Sequence, residues 1–179
     1  SGKTTVIKAV LINSLLSQQF GVGAYRSAKI RIAKGFHSYL NVPDTADRDS
    51  LFQAEARRCK MILDTLAEST GYHLCLFDEL YSGTNPYEAT GATIAYLSHV
   101  AESYPNVRFL LTTHLVDVCH QLKASNKNMM MEGSINNDIY CPTYNLREGV
   151  STVKSGYIVL KDLGYPLDII KRLNSFAPQ

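Results

Sequence analysis

Three short stretches hold the residue types that phosphate chemistry needs. Ser1-Gly2-Lys3-Thr4 has the ending of the loop pattern G-x-x-x-x-G-K-[ST]. In such a loop, backbone N–H groups surround phosphate oxygens, and the helix that follows adds the positive end of its dipole. Lys3 then reaches the β- and γ-phosphates and Thr4 supplies a hydroxyl to Mg²⁺, so that Ser1, Gly2, Lys3, Thr4 and Thr5 are the candidate nucleotide-binding residues. The first half of the pattern would lie before Ser1, and Gly-Lys-Thr alone is a tripeptide that also occurs by chance. The second stretch is the apolar run His73-Leu74-Cys75-Leu76-Phe77, which ends in Asp78-Glu79. At a strand's end Asp78 can hold the hydration shell of Mg²⁺. Glu79, one residue on, can face the other way and orient or deprotonate a water, a role that contributes about 10²–10⁴-fold. The plain alternative is a solvated acidic turn. Adjacent carboxylates repel, however, unless a cation or donors sit near. Taken with Gly-Lys-Thr, the acids predict a pocket for ATP and Mg²⁺. The third stretch is Thr112-Thr113-His114 at the end of the next apolar run. His114 can contact the γ-phosphate or order the water, and it can equally be a loop histidine.

Two helix starts carry a double reading. Ser50-Leu51-Phe52-Gln53 has capping-box spacing, and the cap alone contributes about 1 kcal/mol. The same geometry leaves a hydroxyl and backbone N–H groups at a positive helix end, which suits a phosphate. Asp47 and Asp49 weaken that potential, and both readings stay open. Ser82-Gly83-Thr84-Asn85 is a turn whose Asn85 can cap a helix. Its functional reading is a contact across a dimer interface beside the nucleotide. His37, His73, His99 and His120 read as structural.

These residues need elements to position them. Thr4 to Gln19 reads as a helix with an apolar stripe through Ile7, Val10, Leu11 and Leu15, ended by Gly21 and Gly23. Lys29-Ile30-Arg31-Ile32 alternates as a half-exposed strand does. Asn41 to Asp49 is a polar turn region. Ser50 to about Ser69 is a helix with one face through Leu51, Ala54, Arg58, Ile62 and Leu66. His73–Phe77 and Val107–Thr112 are buried strands. Asn85-Pro86-Tyr87-Glu88 opens a helix to about Ser103, with Glu88 completing its box. Leu115 to Leu122 is helical. Asn128–Met131 and Ile139–Arg147 pair as antiparallel strands around a turn at Gly133–Asp138. Gly149, Ser151 and Gly156 break the chain, and Tyr165-Pro166 starts a last helix. Buried strands alternating with helices predict an α/β fold with a mainly parallel sheet and an antiparallel flank.

The chain has 179 residues, which predicts one domain spanning 1–179. It opens on Ser1 rather than Met, so a piece of a longer protein, cut within the phosphate loop, is expected. With 45% hydrophobic and 19% charged residues it is globular rather than disordered. A net charge of +2 gives no long-range field for nucleic acid. Cys59, Cys75, Cys119 and Cys141 have no paired spacing, which argues against zinc and against a disulfide framework, and predicts a reducing, intracellular compartment. No apolar window approaches the roughly 18 residues of a membrane span, and no secretory signal is visible.

The ordered set of motifs resembles the ATPase domain of MutS-type DNA mismatch repair proteins. It comprises Ser1 to Thr5, Lys8 and Asn13, Asp49-Ser50-Leu51-Phe52 before Glu55, Phe77-Asp78-Glu79-Leu80 with Gly83-Thr84-Asn85, and Thr112-Thr113-His114. Tyr144 to Ser151, Ser155-Gly156 and Leu163-Gly164-Tyr165-Pro166 follow in the family's order. The resemblance implies an ABC-type P-loop ATPase that works as a dimer, with each nucleotide between the Walker motifs of one subunit and the serine-bearing helix start of the other. It implies that Ser50 faces the γ-phosphate held by a second MutS-like subunit, that Asn85 lies at the interface, that Asp78 and Glu79 serve Mg²⁺ and hydrolysis, and that His114 is the switch histidine. DNA would be gripped by domains outside this chain. Tyr81-Ser82 stands where such proteins often have Gly-Arg, and Asn85-Pro86-Tyr87-Glu88 replaces a Ser-Thr-Tyr-Asp type of continuation, which suggests a divergent branch. The alternatives are another ABC-type ATPase, such as an SMC-like or transporter subunit, and a non-hydrolysing ATP-dependent dimerisation module.

Overall fold

The computed structural model describes residues 2–40, 50–124, 126–136, 139–151 and 156–175. Ser1 and the Asn41–Asp49 stretch, with Asp47 and Asp49, lie outside them. The chain forms two compact units, Lys3–Asn126 and Ser1–Gly2 with Lys127–Gln179.

The larger unit is a three-stranded parallel sheet with helices between its strands. In chain order it contains α1 (Lys3–Phe20), β1 (Gly35–Tyr39), α2 (Leu51–Ala67), β2 (His73–Asp78), α3 (Pro86–Ser103), β3 (Val107–Thr112) and α4 (Val116–Gln121). The strand order is β1-β2-β3, all parallel. Central β2 is the apolar run, and Cys75, Leu76 and Phe77 are fully buried, as a strand covered on both faces requires. Rings of Tyr39, Tyr96 and Phe109 surround Phe77 at centroid distances of 6.4, 5.7 and 6.5 Å. Burial pushes the Cys75 thiol up to about 12 and the Cys59 thiol up to about 11. Both are therefore inert core residues, and none of the four cysteines is in a disulfide.

Helix starts follow the sequence closely. Ser50 accepts from Gln53 N–H while the Gln53 side chain accepts from Ser50 N–H, so the full capping box is present. Asn85 accepts from Glu88 N–H at 3.0 Å, ahead of Pro86. Glu88 does not close a box of its own, because its carboxylate instead receives the Thr84 hydroxyl.

Other expectations need correction. Lys29–Ile32 is not a strand: it has no partner strand, and Ile32 is 75% exposed. The chain there is tied by side chains, with Gln18 holding both the N–H and C=O of Ala33, and Arg31 over the Tyr72 ring. Pairing with β2 begins only at Gly35. The apolar stripe of α1 is largely open, with only Ile7 and Ser14 buried. The buried face of α2 runs through Glu55, Cys59, Ile62 and Leu66 rather than Ala54 and Arg58.

The smaller unit pairs β4 (Met129–Asn136) with β5 (Ile139–Glu148) in antiparallel register. The strands run longer than the sequence suggested: an irregularity between Met131 and Gly133 lets pairing resume where a turn was expected. Lys127 pairs with Glu148 at 2.9 Å, and Arg147 with Glu132 at 2.8 Å. Gly156 begins α5 (Gly156–Asp162) instead of breaking the chain, and α6 (Leu167–Ser175) follows Pro166. Among the described residues no helix is long and apolar enough to cross a membrane.

Candidate functional site

Parallel strands present their carboxyl ends together, and crevices at those ends are where open α/β sheets bind ligands. The register pairs Asp78, the last residue of β2, with Thr112, the last of β3. The Thr112 hydroxyl donates to Asp78 Oδ1, and so does the Thr4 hydroxyl from the first turn of α1, at 3.0 Å. A carboxylate and two hydroxyl oxygens thus share one spot. This is a hard-oxygen donor set of the kind Mg²⁺ accepts alongside phosphates and waters. Among the described residues no group of three His, Cys, Asp or Glu could hold a metal unaided.

Glu79 leaves the strand in a left-handed conformation, φ 53°, while its N–H still bonds Thr112 O at 3.0 Å. Its carboxylate meets His114 Nε2 at 2.9 Å. The Lys3 amine stands 3.3 Å from Nδ1 and 3.4 Å from Nε2 of the same ring. The two acids therefore have separate partners: hydroxyls on Asp78, the imidazole on Glu79. That division relieves the repulsion expected of adjacent carboxylates.

Lys3, Thr4, Asp78, Glu79 and His114 are thus brought together. Gly2 has φ 94°, a value that suits glycine. Thr5 and Ser50 are exposed, Ser50 at the start of α2, and Asn85 caps α3. Among the described residues no hydrogen bond or ion pair joins Ser50 or Asn85 to the Asp78 cluster. Ser1 lies outside the described residues.

A family model, MutS domain V, matches residues 1–179. The chain belongs to the MutS domain V family. That sets it with MutS-type proteins rather than with SMC-like or transporter ATPases. Relatives include proteins named Endonuclease MutS2. The chain is 27% identical to the one from Alkaliphilus metalliredigens over 99% of its own length and 22% of the relative's. It is 28% identical to that of Halalkalibacterium halodurans (96% and 21%) and 26% to that of Thermus thermophilus (99% and 23%). The chain therefore spans about a fifth of the length of these curated relatives.

Two residues at this MutS domain V site have roles that sequence spacing does not show. Thr112 reads as a strand end, and its place on Asp78 depends on the β2–β3 register. Glu55 reads only as part of a motif. It is 2% exposed, and its carboxylate holds the loop after Glu79. The available signal was an acid four residues before buried Cys59 on the α2 face.

Proposed function

We propose that this chain is the ATP-hydrolysing domain, 1–179, of an intracellular MutS-like, DNA-associated protein. It would convert ATP and water to ADP and phosphate with Mg²⁺, at composite sites in a dimer. The observation that carries the reading is the convergence of Lys3, Thr4, Asp78, Glu79 and His114 at the carboxyl ends of β2 and β3.

Lys3 would hold the β- and γ-phosphates, with N–H groups at the start of α1, Thr4 and Thr5 among them, turned to the phosphate oxygens, and the loop sequence assigns Ser1 and Gly2 to the same nucleotide. Thr4 and Asp78 hold the cation, which when bound neutralises charge developing on the phosphate oxygens. Glu79 takes the proton of the attacking water, or orients that water. His114, which lies between Lys3 and Glu79, would contact the γ-phosphate or order the water. Ser50 completes the site of a second MutS-like subunit, identical or not, and Asn85 lies near that interface. DNA would be bound through domains outside this chain, and the relatives' printed name, endonuclease, fits a nucleic acid as what the whole protein acts on. The divergence at Tyr81–Glu88 and the relatives' names favour a MutS-like role over mismatch repair in the strict sense.

The test is single-turnover hydrolysis by the full-length protein with Glu79→Gln. The expected result is a loss of about 10²–10⁴-fold with ATP still bound. A wild-type rate would remove Glu79 as the base. A wild-type protein that dimerises with ATP but releases no phosphate would leave the non-hydrolysing module instead.

A further inference from the structure

Glu55 is the buried acid that this mechanism does not use. A carboxylate at that depth is costly unless its oxygens are filled. One loop fills them: Ser82 N–H and Ser82 Oγ donate to Oε1 at 3.1 and 2.8 Å, and Gly83 N–H donates to Oε2 at 3.0 Å. This is the loop that leaves Asp78 and Glu79. It is fastened to the start of α2 in two further ways. The rings of Phe52 and Tyr81 are 5.7 Å apart. Gly83 packs so closely that a Cβ on it would stand 2.6 Å from Phe52 N and 2.8 Å from Leu51 Cβ. On its other side, Leu80 C=O accepts from buried Thr93 of α3. The Tyr39 hydroxyl also lies beside Glu55, without closing a hydrogen bond of normal geometry.

Resting on the dimeric ATPase reading above, we propose that Glu55 is a positioning residue that couples the two nucleotide sites of the dimer. It locks the start of α2, whose Ser50 serves the partner's nucleotide, to the loop leaving Glu79, which serves this subunit's own. The lock is stiff because the loop's backbone N–H groups cannot leave Glu55 without stranding a buried charge. A shift of the Glu79 loop during hydrolysis is therefore carried to Ser50, and a shift of Ser50 is carried back.

The test is steady-state phosphate release from Mg·ATP by the full-length protein, with kcat and KM resolved, and thermal unfolding without nucleotide. Ser82→Ala removes one bond to the carboxylate and leaves the backbone in place. It is expected to lower kcat about tenfold, with KM within about twofold and the melting midpoint close to wild type. Glu55→Gln sets an amide against backbone N–H groups and is expected to lower kcat about a hundredfold with the same KM pattern. If Glu55→Gln does not fold, Ser82→Ala decides alone. The inference is overturned if Ser82→Ala keeps the wild-type kcat, if KM rises as far as kcat falls, or if only the melting midpoint moves. Wild-type protein that releases no phosphate overturns the ATPase reading and this inference with it. An active wild type matched by its variants overturns this inference alone.

Discussion

Strand β2 carries polar residues at both ends, and the two ends treat them in opposite ways. At its start, His73 is 3% exposed. Its Nδ1 meets His37 Nε2 at 2.9 Å, its Nε2 meets Ser69 Oγ at 2.7 Å, and the two imidazoles stack 5.1 Å apart. At its end, Asp78 is half-buried, and beyond it the side chains of His114 and Glu79 are 72% and 45% exposed. A buried polar group must close its hydrogen bonds within the protein, so the His73 end serves the fold. Exposed polar contacts add little stability. The convergence of Lys3, Glu79 and His114 therefore calls for a reason other than holding the chain together.

The contrast breaks most visibly at Asp78. Asp78→Asn should cost several kcal/mol of transition-state stabilisation, about a thousandfold in phosphate release. Its melting midpoint should stay within a few degrees of wild type. A large drop in melting with hydrolysis intact would make Asp78 a structural residue and erase the contrast. His73→Ala is the mirror experiment. It strands His37 and Ser69, and denaturant unfolding should report a loss of about 1–3 kcal/mol, while kcat is unchanged. Ser50→Ala sharpens the comparison because Ser50 caps α2 and, in the dimer proposed above, faces the partner's nucleotide. About 1 kcal/mol of stability should go with the cap, and a fall in kcat beyond that loss would separate the phosphate role from the cap.

The smallest effect is on pH. Burial, then His73 and Arg58, holds His37 below its ordinary value of 6.5. Burial, then Lys34, does the same for His73. In the fold both stay neutral where the unfolded chain already binds protons. Their contribution to stability is full above the ordinary value and is lost as pH falls through the lowered ones. Urea unfolding at about pH 7.5 and about pH 5.5 should show lower stability at the acid pH, and His37→Gln should flatten that slope. An unchanged slope would mean that other groups set it.

What the sequence made legible follows the same division. Asp78 and Glu79 could be placed because a run of buried apolar residues ending in acids has few other meanings. Ser50 and Asn85 could be placed because caps are written in four adjacent residues. Glu55 could not, because the loop it holds lies 27 residues away in the chain and only the fold brings the two together. Lys29–Ile32 misled for the converse reason: alternation describes a strand only where a neighbouring strand exists to pair with. Gly156 misled because a glycine that often ends helices also tolerates their first position.

Tyr81 has φ 58°, a conformation that costs a residue with a Cβ about 1 kcal/mol or more. The cost is offset by its ring against Phe52 and, edge-on, against Tyr96 at 6.4 Å. A glycine here would relax the backbone and leave a hole, so neither change is neutral alone. Across related sequences, positions 52, 81 and 96 should therefore co-vary. Lineages with glycine at 81 should carry bulkier or differently shaped neighbours, and reciprocal transplants of a single residue between lineages should be worse than either parent.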